Sequence, residues 1–121
     1  MCGIPGYINT DNRSITNTTI IQKMLVAHQH RGPDDSGISA FSLQQQTAKE
    51  YRHQQIQTIE GSFEGILGFN RLSILDLSKN GHQPMCSPDG KVILTLNGEI
   101  YNAFDLKPAL EADGCIFKST T

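Results

Sequence analysis

No apolar stretch in this 121-residue chain approaches the roughly 20 residues that a membrane-spanning helix needs. Nor do the first residues show the basic-then-apolar layout of a secretory signal. Net charge is small, −2 at pH 7 with no basic run, which leaves binding to a nucleic-acid backbone without electrostatic support. Cysteine is sparse and odd in number, and Cys2, Cys86 and Cys115 lie too far apart to form a disulfide framework. That usage suits a reducing cytoplasm, where a thiol is either a nucleophile or a small apolar group. CxxC and HExxH spacings are both missing, so no metal site is expected. His28 and His30 would stand about 200° apart around a helix, and His53 and His82 have no matching ligand partners. All four read as structural or surface residues. Internal repeats and interdomain linkers are also lacking, so the chain is one domain or a piece of one.

What is present looks like an ordinary globular protein, 37% hydrophobic and 18% charged. GIPGYINT reads as a buried strand leaving the N-terminus. NTTIIQKMLVAHQH places Ile20, Ile21, Met24, Leu25 and Ala27 at helical spacing, with Asn17 or Thr18 as cap and a stop at Arg31-Gly32-Pro33. GISAF reads as a strand, and YRHQQIQTI as an edge strand within the weakly patterned residues 42–60. GILGFNRLSIL reads as an interior strand. The clearest β signal is KVILTLNGEIYN, with Val92, Leu94 and Leu96 on one face and Asn97-Gly98 suited to a tight hairpin. A helix from near Asp105 should end at Gly114, with Pro108 tolerable only in its first turn. CIFKST would begin a further strand that stops midway, which predicts that the chain is a fragment. The order β, α, several β, α implies mixed layers with antiparallel pairing.

Several residues could carry chemistry. A cysteine in second position can become the N-terminus, joining a nucleophilic thiol to an α-amine whose ordinary pKa is about 8. Cysteine suits attack on an amide because its thiol ionises more easily than a hydroxyl. Gly3 and Gly6 would let the backbone run close to a bound substrate. The same MCG also fits an incidental cysteine in a first strand. Asn97 and Gly98 could supply a side-chain amide and a backbone N–H to an oxyanion, or simply form a turn. Arg71, among Leu67, Phe69, Leu72 and Ile74, needs a partner, because an unpaired buried charge costs several kcal/mol. Glu99, Asp76 or a substrate carboxylate would serve. In HRGPDDSG, Arg31 should pair locally with Asp34 or Asp35. Cys86 and Cys115 read as inert thiols.

Taken together, MCGIPGYI, HRGPDDSGI, NRLSILDLS, GHQPM and LNGEIYN resemble, in the same order, segments of glutamine-dependent asparagine synthases. More broadly they resemble the class II glutamine amidotransferase domain. The resemblance runs from residue 2 to the final residue and is weakest over 42–60. It implies an α+β N-terminal-nucleophile fold, an αββα four-layer sandwich of mostly antiparallel sheets. Residues 1–121 would be the N-terminal part of that domain. By resemblance, Cys2 is the nucleophile once Met1 is removed, its α-amine handles the proton, and Asn97 with Gly98 forms the oxyanion hole. Arg71 would bind the glutamine α-carboxylate, the backbone of Leu72, Ser73, Ile74 and Leu75 would line that pocket, and Glu99 would help hold the substrate amino group. The products would be glutamate and ammonia. No cofactor is implied here, whereas ATP and Mg belong to a synthetase domain that would be the chain's partner and would amidate aspartate.

Three features depart from the family pattern. An acidic residue expected after FKSTT lies beyond the chain, Met1 is present, and Pro5 is an unusual neighbour that removes a ladder donor. Two other readings stay open: a non-catalytic docking module of the same fold, and an amidotransferase whose acceptor is a sugar acid. A sandwich cut midway would expose apolar faces and strand edges, which predicts aggregation or a homodimer.

Overall fold

The computed structural model describes residues 1–118 apart from 12, 16, 53–58 and 75. Four strands make the main sheet: β1 (Gly6–Ile8), β2 (Asp35–Ser42), β3 (Thr47–Arg52) and β4 (Gly65–Arg71). Their order is β1-β4-β2-β3, with every neighbour antiparallel. Alternation in the sequence decides the two faces. Ile38, Ala40 and Ile66 point into the core, while Gly37 and Ser39, paired with Phe69 and Leu67, point the other way. β4 is interior as expected, with Leu67 the one residue of the strand not fully buried.

Helix α1 (Thr19–Ala27) lies across the core face. Ile21 and Leu25, four residues apart, are buried there with Met24 partly covered, each fully buried aliphatic contributing roughly 1.5–3 kcal/mol. Of the two candidate caps, Asn17 supplies the side-chain acceptor, taking the Thr19 N–H at 2.7 Å. Thr18 Oγ1 instead accepts from Gln22 Nε2 at 3.0 Å. A 3-10 turn at Gln29–Arg31 then delivers the chain to Gly32.

The opposite face carries a second, two-stranded sheet, β5 (Met85–Cys86) paired antiparallel with β6 (Ile93–Leu94). The segment leading into it presses on β2. A side chain at Gly37 would collide with the His82 ring and the Gln83 carbonyl, and Cys86 Sγ lies 3.8 Å from Ser39 Oγ. The result is an α+β arrangement with antiparallel sheets.

The structure corrects several sequence expectations. The first strand is an edge strand rather than a buried one, with Ile4 and Ile8 42% and 52% exposed. Pro5 sits there at the cost of one ladder bond: its carbonyl accepts the Gly68 N–H at 2.7 Å, but it has no N–H to return. Gly3 and Gly6 make room for the protein itself, namely the His28 side chain and β4. Of the edge strand expected at YRHQQIQTI, Tyr51 and Arg52 belong to β3, which the turn after Ser42 begins at Thr47 with Gln46 at φ 51°. Of that stretch, 53–58 fall outside the described residues.

The strand expected over GILGFNRLSIL ends at Arg71, and Leu75 is outside the described residues. KVILTLNGEIYN forms only the two residues of β6. Val92, Leu94 and Leu96 remain 62%, 52% and 41% exposed, and strand preference needs a covering surface to act on. Asn97-Gly98 makes no hairpin, since Gly98 lacks a positive φ and the chain runs on into α2 (Ala103–Ala112). That helix starts two residues before Asp105, which puts Pro108 at its sixth position, beyond the first turn. Its end is as expected. Gly114 has φ +86°, its N–H reaches Glu111 O at 3.0 Å, and the Cys115 N–H reaches Leu110 O at 2.9 Å. Residues 115–118 are not a strand, and 119–121 lie outside the described residues.

Gly32 shows why a glycine must follow Arg31. A Cβ there would run into the β4 main chain at Asn70 and Arg71, which cannot swing aside as a side-chain tip can. Gly32→Ala is therefore expected to cost about 1–3 kcal/mol, read as a lower denaturant midpoint at unchanged m-value.

Candidate active site

The site begins with a main-chain clamp. Gly3 and Asn70 exchange both hydrogen bonds, Gly3 N–H to Asn70 O at 2.9 Å and Asn70 N–H to Gly3 O at 2.8 Å. This bridge continues the β1–β4 register toward the N-terminus and sets Cys2 beside the end of β4. There the ladder stops, and the Leu72 N–H turns to the thiol, 3.3 Å from Cys2 Sγ. Cys2 N–H donates to Asn97 Oδ1 at 3.1 Å, and the Cys2 carbonyl accepts from Arg31 Nε at 3.3 Å. Nitrogen, oxygen and sulfur of one residue are thus each held by a different part of the chain.

The expected local ion pair of Arg31 with Asp34 or Asp35 does not form among the described residues. Arg31 is spent on Cys2 instead. Asp34 brackets Leu72, its N–H donating to Arg71 O at 3.0 Å and its Oδ2 accepting the Ser73 N–H at 2.7 Å. Asp35 meets His82, with Nδ1 to Oδ2 at 2.5 Å. These four residues were legible as motif letters but not as contacts, since each reaches an element distant in sequence.

Cys2, Leu72 and Asn97 are brought together. Arg71 is buried at 8% exposure, and its guanidinium lies over Gly81 and donates to the carbonyls of Asp76 and Ser78, the latter at 2.8 Å. Its hydrogen bonds therefore go to main-chain oxygens of the following loop, and none to Glu99. Ser73 is half-buried on Asp34, Ile74 is 73% exposed, and Leu75 is outside the described residues. Gly98 and Glu99 follow Asn97 on the exposed surface. Cavities of about 440 and 320 Å³ are lined by α1 with Gly32–Ser36 and by the β2–β3 turn with Ile93. Neither takes a wall from Cys2, Asn97 or Arg71. Cys2 itself is half-buried. Among the described residues no cluster of three His, Cys, Asp or Glu could hold a metal ion, and no helix is long and apolar enough to cross a membrane.

Cys2 thus lies beside the end of β4 with its N–H on the Asn97 amide and its thiol at the Leu72 N–H. A model of the glutamine amidotransferase domain family matches residues 57–121, and the chain belongs to that family. It is similar to asparagine synthetase [glutamine-hydrolyzing] 2 of Bacillus subtilis, 37% identical over 100% of this chain and 13% of the relative. Asparagine synthetase [glutamine-hydrolyzing] 1 of the same organism is 33% identical over 98% of this chain and 16% of the relative. The rice asparagine synthetase [glutamine-hydrolyzing] 2 is 30% identical over 93% of this chain and 15% of the relative. The chain thus spans about a sixth or less of these relatives' length. No solved structure matches it.

The other thiols differ sharply from one another. Burial, and after it a hydrogen bond with Glu50, raises the Cys86 pKa to about 11, while Cys115 is exposed. A raised pKa leaves Cys86 protonated, with roughly 0.1% thiolate at pH 8. Iodoacetamide at pH 8 should therefore carboxamidomethylate Cys115 and spare Cys86, whose labelling by peptide mass mapping should rise only as pH approaches about 11.

Proposed function

We propose that this chain is the glutaminase portion of a glutamine-dependent asparagine synthase, hydrolysing glutamine through a thioester on Cys2. The observation that carries this reading is the convergence of the Leu72 N–H on the thiol with the bond from Cys2 N–H to Asn97 Oδ1. That second bond fixes the orientation of the Asn97 amide. With Oδ1 engaged, Nδ2 is left as a donor, and together with the Gly98 N–H it forms the oxyanion hole. Removal of Met1 turns the Cys2 nitrogen from an amide into an amine able to accept a proton.

The steps follow from these groups. Cys2 Sγ attacks the side-chain amide carbon of glutamine, forming a C–S bond as the carbonyl electron pair moves onto oxygen, facing Asn97 Nδ2 and Gly98 N–H. The thiol proton passes to the α-amine and from there to the departing nitrogen, so the C–N bond breaks with loss of ammonia. Water then adds to the thioester, and its collapse releases glutamate and restores the thiol. Arg71 has five N–H donors and spends two on carbonyls, which leaves others for the substrate α-carboxylate. The main chain of Leu72, Ser73 and Ile74 lines that pocket, and Glu99 takes the α-amino group.

On this reading the fold is the first part of an αββα N-terminal-nucleophile sandwich, and the contacts of the 82–86 segment on β2 support its two β layers. Ammonia passes to a C-terminal synthetase domain that holds ATP and Mg and amidates aspartate, in the cytoplasm. In the intact synthase, Cys2→Ala should lower glutamine-dependent synthesis at least about 1,000-fold and leave ammonia-dependent synthesis in place. N-terminal mass analysis should find Met1 removed. Loss of both activities together, or a mature protein that keeps Met1, would count against the proposal.

A further inference from the structure

Main-chain pairing does not reach Asn97. β6 ends at Leu94, so the ladder stops three residues short of the amide that meets Cys2. The gap is filled by a side chain. Gln83 Oε1 accepts the Leu96 N–H at 2.7 Å, and Gln83 Nε2 donates to the Leu96 carbonyl at 3.1 Å. A primary amide carries both a donor and an acceptor, so it can satisfy both main-chain groups of one residue as an opposing strand residue does.

Gln83 is itself fixed from both sides. On one side, His82 is bonded to Asp35 of β2 and packs where Gly37 leaves room. On the other, buried Pro84 leads into β5, whose Met85 pairs with Leu94. The main sheet is thereby connected through His82 and Gln83 to Leu96, and through Leu96 to the residue that touches Cys2. This clamp was not visible in sequence, where GHQPM carries no periodic pattern.

We infer that Gln83 is a positioning residue for the glutaminase: its amide holds the Leu96 main chain and so aims the Asn97 amide and the Gly98 N–H at the developing oxyanion. The inference rests on the proposed function, and Gln83 touches neither substrate nor thiol. Its action should therefore appear in the transition state more than in ground-state binding.

The test uses the intact synthase with Q83L, which loses both bonds, and Q83E, which keeps the acceptor but sets a carboxylate against the Leu96 carbonyl. Glutamine hydrolysis is followed as glutamate release. Both variants should lose about 10–100-fold in kcat with KM within about threefold. Inhibition by glutamate γ-semialdehyde, whose carbonyl adds the thiol to give a tetrahedral adduct, should weaken at least about 10-fold. Inhibition by glutamate, which has no such adduct, should stay within about twofold of the unaltered protein. A kcat within about twofold of the unaltered protein in both variants would overturn the inference, as would equal weakening of semialdehyde and glutamate. Loss of folding in both Q83L and Q83E would also overturn it, by making Gln83 a general stability residue. Cys2→Ala, assayed alongside, separates the two claims. If it hydrolyses glutamine normally the functional proposal fails, whereas if it is dead while Q83L is normal only the role of Gln83 fails.

Discussion

Everything at the site depends on two reciprocal hydrogen bonds between Gly3 and Asn70. They tie a chain end, ordinarily a frayed segment, to the most buried strand of the sheet. Pro5 weakens the same edge by one donor, so the bridge at Gly3 is what keeps residue 2 in register with the end of β4. With residue 2 fixed, the Leu72 N–H and the Asn97 amide need only be brought up to it. The remaining contacts do that work.

Two short motifs act as distributors of geometry rather than as chemical groups. In HRGPDDSG, Arg31 holds the Cys2 carbonyl, Gly32 lets the turn cross β4, Asp34 binds the main chain on both sides of Leu72, and Asp35 fixes His82. GHQPM carries the same support over to the Asn97 side, and its glycine gives the Arg71 guanidinium its space. Arginine and aspartate in one octapeptide suggested a local ion pair. Instead Arg31 and Asp34 reach distant main-chain groups and Asp35 the His82 ring, so each charge meets a polar group far along the chain.

Sequence reasoning succeeded where covering surfaces lie within the described residues. α1, β2 and β4 were legible because their apolar periodicity is matched by real burial at Ile21, Leu25, Ile38 and Ile66. It overreached at 92–97, where alternation records faces prepared for burial, and those faces stay largely exposed. It also sets Pro108 in a first turn, because Asp105 marks a later start than Asn102, the residue at the N-cap position. Cys2 and Asn97, which the structure joins through the Cys2 N–H, were found from residue type, position and family resemblance. The side chains that place them were not, since a contact such as Gln83 with Leu96 leaves no periodic trace.

The bridge at Gly3 has a practical corollary. Pairing of the chain with β4 starts one residue after the cysteine and asks nothing of Met1, which is 74% exposed. An affinity tag fused in front would therefore fold, purify and give the circular dichroism of the unaltered protein. On the mechanism proposed above, that same preparation would be chemically silent, its reactive nitrogen locked in a peptide bond, so purification handles belong at the other terminus.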